Sequence, residues 1–324
     1  MKLRVLEIKN LKVYFKTEEG IVKALENVNL HVDKGEILGV VGETGCGKSV
    51  TALTVLRLLS NTSEISGEIL FEEKNLLELP ESEMLKIRGK EIAMIFQEPM
   101  TSLNPVFTVG QQLTDVIMQH TKVSKEEALK RAIEVLRLVK LPDPDYIVNK
   151  YPHELSGGMR QRVMIAMAIS CNPKLIIADE PTTALDVTIQ AQILGILKNL
   201  KEELGISIII ITHNLGVVAQ LCDRVAVMYS GYVIESGTVS EIFQQAIHPY
   251  TRGLLKAIPP VDEKVDKLKV IPGIVPNLIS PPSGCRFHPR CERFIDGRCN
   301  IYPPEIQYLS ETHSFMCHNP YELL

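Results

Sequence analysis

Gly42-Glu43-Thr44-Gly45-Cys46-Gly47-Lys48-Ser49 fits the pattern Gly-x-x-x-x-Gly-Lys-Ser, a loop whose glycines let backbone N–H groups curl around phosphates. Lys48 can reach the β- and γ-phosphates of a nucleotide, the Ser49 hydroxyl can ligate Mg²⁺, and Val50 continues into the helix behind them. A second glycine-rich sequence, Leu155-Ser156-Gly157-Gly158-Met159-Arg160-Gln161-Arg162, lies too far along the chain to share that loop. Ser156, Gly157 and Gly158 lead into an apolar, helix-permitting run at residues 163–169. They therefore offer N–H donors and the positive end of a helix dipole to another anion. Two such ends so far apart suggest one nucleotide closed between two copies of the chain.

Other residues fit chemistry at a γ-phosphate. The apolar run Leu175-Ile176-Ile177-Ala178 ends in Asp179-Glu180, where Asp179 can hold Mg²⁺ through its water shell and Glu180 can orient and deprotonate the attacking water. Alone, such a pair is more often an exposed acidic turn; the phosphate loop upstream reverses those odds. Gln97 follows the strand-like residues 92–96, where its amide can touch both Mg²⁺ and water. His213 ends the apolar run 206–212 and can hydrogen-bond the γ-phosphate, or simply cap a loop. Asp186 reads equally as a helix cap, and Phe15 as a core ring or as a platform for an adenine.

The elements needed to position these residues are legible. Residues 3–15 and 24–32 read as strands around the polar turn 16–20, and residues 36–41 as a short strand running into the loop. Val50, Leu53, Leu56 and Leu59 recur at helical spacing, completing the strand–loop–helix context that makes a P-loop credible. Residues 175–178 and 207–211 are unbroken apolar runs, as expected of strands buried on both faces of a parallel sheet. Upstream of both, residues 97–152 read as a helical insertion, with a capped start at Ser124-Lys125-Glu126-Glu127 and an apolar face of Ala128, Ile133, Leu136 and Val139. Pro259, Pro260, Pro272, Pro276, Pro281, Pro282 and Pro289 then forbid long regular elements.

The chain has 324 residues, room for one large domain plus an extension or for two modest domains, and its 45% hydrophobic and 23% charged content is ordinary for a soluble globular protein. A net charge of −4 argues against a broadly basic nucleic-acid surface. No apolar run approaches the roughly 18 residues that span a bilayer, and the first residues lack a signal-peptide core. An intracellular protein with any membrane role supplied by partners is the expectation.

Four of the seven cysteines gather late, as Cys285, Cys291, Cys299 and Cys317. Such a set can bind Zn²⁺ or an iron–sulfur cluster. The gaps are longer than zinc knuckles favour, His288, His313 and His318 are available for a mixed site, and disulfides are disfavoured in a reducing cytosol. Cys46, Cys171 and Cys222 read as packing residues.

Taken together, the P-loop, Gln97, residues 155–162, Asp179-Glu180, Asp186 and His213 resemble, in order and approximate spacing, the ATP-binding subunits of ABC transporters. The resemblance covers about residues 1–240. It implies an α/β P-loop NTPase fold with a mainly parallel core sheet, an N-terminal antiparallel β subdomain and an inserted helical subdomain at about 97–160. It also implies a head-to-tail dimer in which ATP, with Mg²⁺, lies between the P-loop of one subunit and Ser156-Gly157-Gly158 of the other. Asp186 would then communicate across the interface and His213 sense the γ-phosphate. Asn214 departs from the pattern, since Asp commonly follows the histidine; both are short polar helix caps.

Three further stretches resemble the dipeptide/oligopeptide permease group, which includes nickel importers and relatives that carry oligosaccharides. They are Glu98-Pro99-Met100-Thr101-Ser102-Leu103-Asn104-Pro105, His248-Pro249-Tyr250-Thr251-Arg252, and Pro281-Pro282-Ser283-Gly284-Cys285-Arg286-Phe287-His288-Pro289-Arg290-Cys291. That resemblance implies a C-terminal extension, 241–324, with a 4Fe–4S cluster in some members. It implies a second ATPase subunit, identical or paralogous, and two membrane permease subunits whose coupling helix would meet residues 97–105. An extracytoplasmic binding protein would take part indirectly, and the chain itself would sit peripherally on the cytoplasmic face of the membrane. A soluble ABC ATPase acting on nucleic acid or ribosomes is the competing expectation; it would be marked by paired cassettes or a coiled-coil insertion, and neither is visible. A P-loop kinase or GTPase would leave residues 155–162 without a purpose.

Overall fold

The computed structural model describes residues 3–183, 185–257 and 271–322. These divide into two compact units, one from Met1–Val5, Val32–Ile37 and Glu78–Ile211, the other from Leu6–His31, Leu38–Leu77 and Thr212–Leu324.

The first unit is built on parallel strands. Leu175–Asp179 pairs with Ile92–Ile95 on one side and with Ser207–Thr212 on the other. Every residue of Leu175–Asp179 and of Ser207–Thr212 is buried, which is why both read as unbroken apolar runs rather than alternating ones. The helix Gly157–Ile169 buries Val163, Ile165 and Ala166, and Val187–Leu204 runs from an Asp186 cap to a left-handed Gly205.

The expected helical segment is present as Pro99–Ser102, Val109–His120, Lys125–Leu138 and Pro144–Ile147. Thr108 and Gln111 form a reciprocal capping box at the second of these. Ser124 accepts from the Glu127 N–H at 3.3 Å, as expected at the third. On that helix Ala132, with Ala128 and Leu136, supplies the buried face, while Ile133 is only half-buried.

The second unit contains an antiparallel sheet ordered Gly20–Asp33, Arg4–Thr17, Ser63–Phe71, Lys74–Asn75. The strand Ile37–Val41 pairs in parallel with Arg224–Tyr229, which turns back antiparallel into Tyr232–Thr238. Lys48–Val55 follows the P-loop; it ends short of Leu59 because Arg57 takes a left-handed φ of 52°.

The tail is woven into this unit. Ser314–Phe315 adds to Tyr232–Thr238 as a further strand, and Lys23 N–H donates to the Leu278 carbonyl at 2.9 Å. Tyr229, Tyr250 and Phe287 close an aromatic core, with ring centroids 4.7–5.3 Å apart. Between residues 271 and 289 the only regular element is the 3₁₀ turn begun at His288–Arg290, as the prolines require; Pro259 and Pro260 lie outside the described residues.

A buried polar network ties these pieces. The Glu235 carboxylate, 1% exposed, accepts from the N–H groups of Ile247 and His248 and from the His313 ring. His248 accepts at Nδ1 from the Tyr250 N–H and meets the Met316 carbonyl with its other nitrogen, which fixes the neutral tautomer. Burial holds its pKa down at about 4, against an ordinary 6.5. Between pH 6.5 and pH 4 the unfolded chain therefore takes up a proton that the folded chain refuses. Its stabilising contribution, full above pH 6.5, is lost across that window, at a cost of about 3 kcal/mol. Denaturant titrations at pH 7 and pH 4 should show the stability gap between wild type and His248→Asn narrowing by that amount; a gap independent of pH would refute it.

Candidate nucleotide-binding and hydrolytic site

In the second unit the P-loop turns tightly. Gly47 caps the helix Lys48–Val55 at φ 106°, and a Cβ there would come within 2.5 Å of the Leu25 side chain. Lys48 is buried, and its ammonium donates to the carbonyls of Gly42 at 2.8 Å and Glu43 at 3.0 Å. Cys46 packs beneath the loop, 0% exposed, with its thiol pKa raised by burial, so it is inert filling. Thr44, Gly45 and Ser49 are exposed, Glu43 and Val50 half-buried. Phe15 is half-buried on its strand, opposite Ser63 in register. His213 is exposed, immediately after Ser207–Thr212, and Asn214 caps the next helix by accepting from the Gly216 N–H at 2.9 Å.

The first unit carries the carboxylates. Asp179, 7% exposed, ends its strand. Glu180 follows in the left-handed region, φ 46°, its N–H donating to the Ile211 carbonyl at 2.8 Å. One carboxylate oxygen accepts from the Gln97 amide at 3.2 Å and from the Thr183 hydroxyl at 2.8 Å. A carboxylate aimed by a strained backbone and two donors is pre-oriented, an arrangement that concentrates at functional sites.

Ser156 caps Gly157–Ile169 by accepting from the Met159 N–H at 3.4 Å, and both Ser156 and Gly157 are exposed. Gly158 is buried against Ile189; a Cβ would sit 2.7 Å from that side chain. Arg160 and Arg162 brace the turn from behind, Arg160 Nε donating to the Pro152 carbonyl at 2.7 Å and Arg162 to Gln192 at 2.5 Å. Asp186 accepts from the Ile189 N–H at 2.8 Å, so in this chain it caps its helix while remaining exposed.

All seven cysteines are free thiols. The four late ones feel one another. Burial, with neighbouring thiols adding, pushes Cys285 up to about 11 and Cys317 up to about 12. Among the described residues no group of three or more His, Cys, Asp or Glu side chains is arranged to hold a metal ion. The histidines considered for a mixed site have other partners. His313 pairs with Glu235 at 2.9 Å, His318 with the Tyr302 carbonyl at 2.9 Å, and His288 with the Cys285 carbonyl at 3.0 Å.

The ABC transporter family model matches residues 25–183, and the model for the oligopeptide/dipeptide transporter C-terminal region matches residues 234–299. The oligopeptide transport ATP-binding protein OppD of Bacillus subtilis is 54% identical, over 96% of this chain and 87% of its own. A probable peptide ABC transporter ATP-binding protein of Sinorhizobium fredii is 50% identical, over 97% and 94%. The chain belongs to the oligopeptide/dipeptide family of ABC transporter ATP-binding proteins. Among solved structures, an ATP-binding cassette dimer in a post-hydrolysis state bound to ADP and Pi superposes with a TM-score of 0.65 at 33% identity, covering 72% of this chain and 98% of that one. This ABC subunit is thus an ATPase with the expected α/β fold.

Some residues that shape the site escape a reading of motifs. Thr183 is one, although its spacing of three from Glu180 was visible. Tyr250 is another: its hydroxyl accepts from the Glu43 N–H at 3.0 Å within the P-loop. Arg290 is the third, a bidentate partner of the Glu43 side chain. Neither Tyr250 nor Arg290 carries any local signal of such a contact. No helix among the described residues is long and apolar enough to cross a membrane.

Proposed function

We propose that this ABC ATPase energises the import of di- or oligopeptides, with residues 1–240 as its nucleotide-binding domain and 241–324 as a permease-type extension. The observation that carries the hydrolytic reading is the Glu180 carboxylate, held by Gln97 and Thr183 at the end of a buried strand. The peptide reading rests on the family match of the tail. Met100 and Val106, 60% and 70% exposed, are apolar side chains available to a membrane subunit's coupling helix. The chain would sit peripherally on the cytoplasmic face, beside a second ATPase subunit and two permease subunits.

In the cycle, backbone N–H groups of the loop 42–49, other than that of Glu43, and the Lys48 ammonium bind the phosphates, and Phe15 stacks on the adenine. Ser156, Gly157 and Gly158 of one subunit close over the nucleotide of another, with Asp186 coupling the two. Glu180 takes the proton of the attacking water while Gln97 and His213 hold the γ-phosphate end. Ser49, Gln97 and Asp179 are hard oxygen donors of the kind that hold Mg²⁺, which supplies neutralisation of phosphate charge.

At the tail we propose that Cys285, Cys291, Cys299 and Cys317 hold a 4Fe–4S cluster. Their donor chemistry fits. The thiols lie within electrostatic reach of one another, and Cys285, Cys291 and Cys317 receive backbone N–H groups from residues 287 and 288, 293 and 319. Anaerobically purified protein should be brown, with broad absorbance near ~400 nm; colourless protein with one stoichiometric zinc would reject the cluster.

Glu180→Gln tests the hydrolytic assignment. It should bind ATP yet turn it over ~10²–10⁴-fold more slowly in the assembled transporter. Turnover close to wild type would remove Glu180 as the base.

A further inference from the structure

The segment between Cys285 and Cys291 delivers two arginines to the nucleotide end of the second unit. Arg290 is almost wholly buried, its side chain 4% exposed. It donates through Nη1 to Glu43 Oε2 at 2.7 Å and through Nη2 to Glu43 Oε1 at 3.0 Å, a bidentate clasp on the second residue of the P-loop. Its other donors meet the carbonyls of Pro272 at 2.8 Å and Ile271 at 3.3 Å, and the Tyr229 hydroxyl at 3.4 Å. All five N–H groups of the guanidinium are therefore used, and three of them anchor it to the tail and to the Tyr229 strand rather than to Glu43.

Arg286 acts on the same loop through a turn. Its Nη1 donates to the Ser230 carbonyl at 2.6 Å and to the Lys23 carbonyl at 3.1 Å. The next N–H, that of Gly231, donates to the Cys46 carbonyl at 2.9 Å, within the P-loop. Gly231 sits at φ 84°, and a Cβ there would lie 2.7 Å from the Ala24 carbonyl and 3.0 Å from Arg286 itself. Tyr250 completes the set by accepting the Glu43 N–H. Two points of the P-loop, Glu43 and Cys46, are thus pinned by residues downstream of 229, and two of the pins come from one tail segment.

We propose that Arg290 is a positioning residue: from the cysteine-bearing tail it holds the P-loop, through Glu43, in the conformation that binds nucleotide, so the tail sets this subunit's ATP affinity. The proposal rests on residues 42–49 being the nucleotide site. A buried clasp spanning 247 positions in sequence also makes the coupling reciprocal, so bound nucleotide must stabilise the docked tail.

Equilibrium titration of the full chain with Mg-ATP tests it. Arg290→Met should weaken binding about tenfold, while kcat of the reconstituted transporter at saturating ATP stays within roughly twofold, because the residue touches no reacting atom. Arg290→Lys, which keeps the charge but not the planar fork, should fall between wild type and Arg290→Met. Glu43→Gln removes the charge and the second acceptor of the same clasp without altering the tail, and serves if Arg290→Met fails to fold. The double variant should be no weaker than the worse single. Wild-type affinity in both single variants, or losses that add in the double, would overturn the proposal. Absence of ATP binding by the wild type would instead overturn the reading of the site itself.

Discussion

A phosphate-binding loop must point its backbone N–H groups inward, and this constraint turns its carbonyls outward and leaves them in need of partners. An unpaired buried carbonyl costs on the order of 1–3 kcal/mol, so the loop holds its shape only if its surroundings supply donors. Here the donors are specific. Lys48 serves Gly42 and Glu43 from inside the loop, and the Gly231 N–H serves Cys46 from outside. The N–H of Glu43 goes to Tyr250 and its side chain to Arg290. Much of the second unit can be understood as the apparatus that brings these groups to one loop: the hairpin that places Gly231, the aromatic core that places Tyr250, and the proline-rich tail that places Arg290.

The first unit answers a different demand, the aiming of a base. Parallel strands buried on both faces make a rigid platform, and Glu180 leaves it in a left-handed conformation that an ordinary acidic residue avoids. The strain is held in place by the Ile211 carbonyl on one side and by Gln97 and Thr183 on the other. The turn at Ser156-Gly157-Gly158 is built just as tightly. Ser156 caps its helix with one oxygen yet stays exposed, and Gly158 is small because Ile189 fills the space behind it.

What could be read from the sequence was whatever rests on local pattern. The capped helix at Ser124, the buried strands around residues 177 and 209, and the P-loop all announce themselves through spacing, because caps, periodicity and glycine positions act over a few residues. The helix after the P-loop was expected to reach residue 59, but a left-handed Arg57 stops it at Val55, and nothing in the hydrophobic spacing betrays that turn. The Arg290–Glu43 clasp was invisible for a deeper reason. Its partners are separated by most of the chain, and an arginine between two cysteines looks the same whether it faces solvent or a P-loop. The histidines near the late cysteines misled in the opposite way, since their rings bond to Glu235 and to backbone carbonyls rather than to a metal.

If the loop's shape is imposed by its unit, loosening one pin should free the loop alone. Hydrogen exchange of the amides in residues 43–49, followed in the nucleotide-free full chain of wild type and of Arg290→Met, measures this directly. The account predicts faster exchange confined to those residues and their immediate partners, with the parallel strands protected as before. Unchanged protection of residues 43–49 in a variant whose tail remains folded would contradict it.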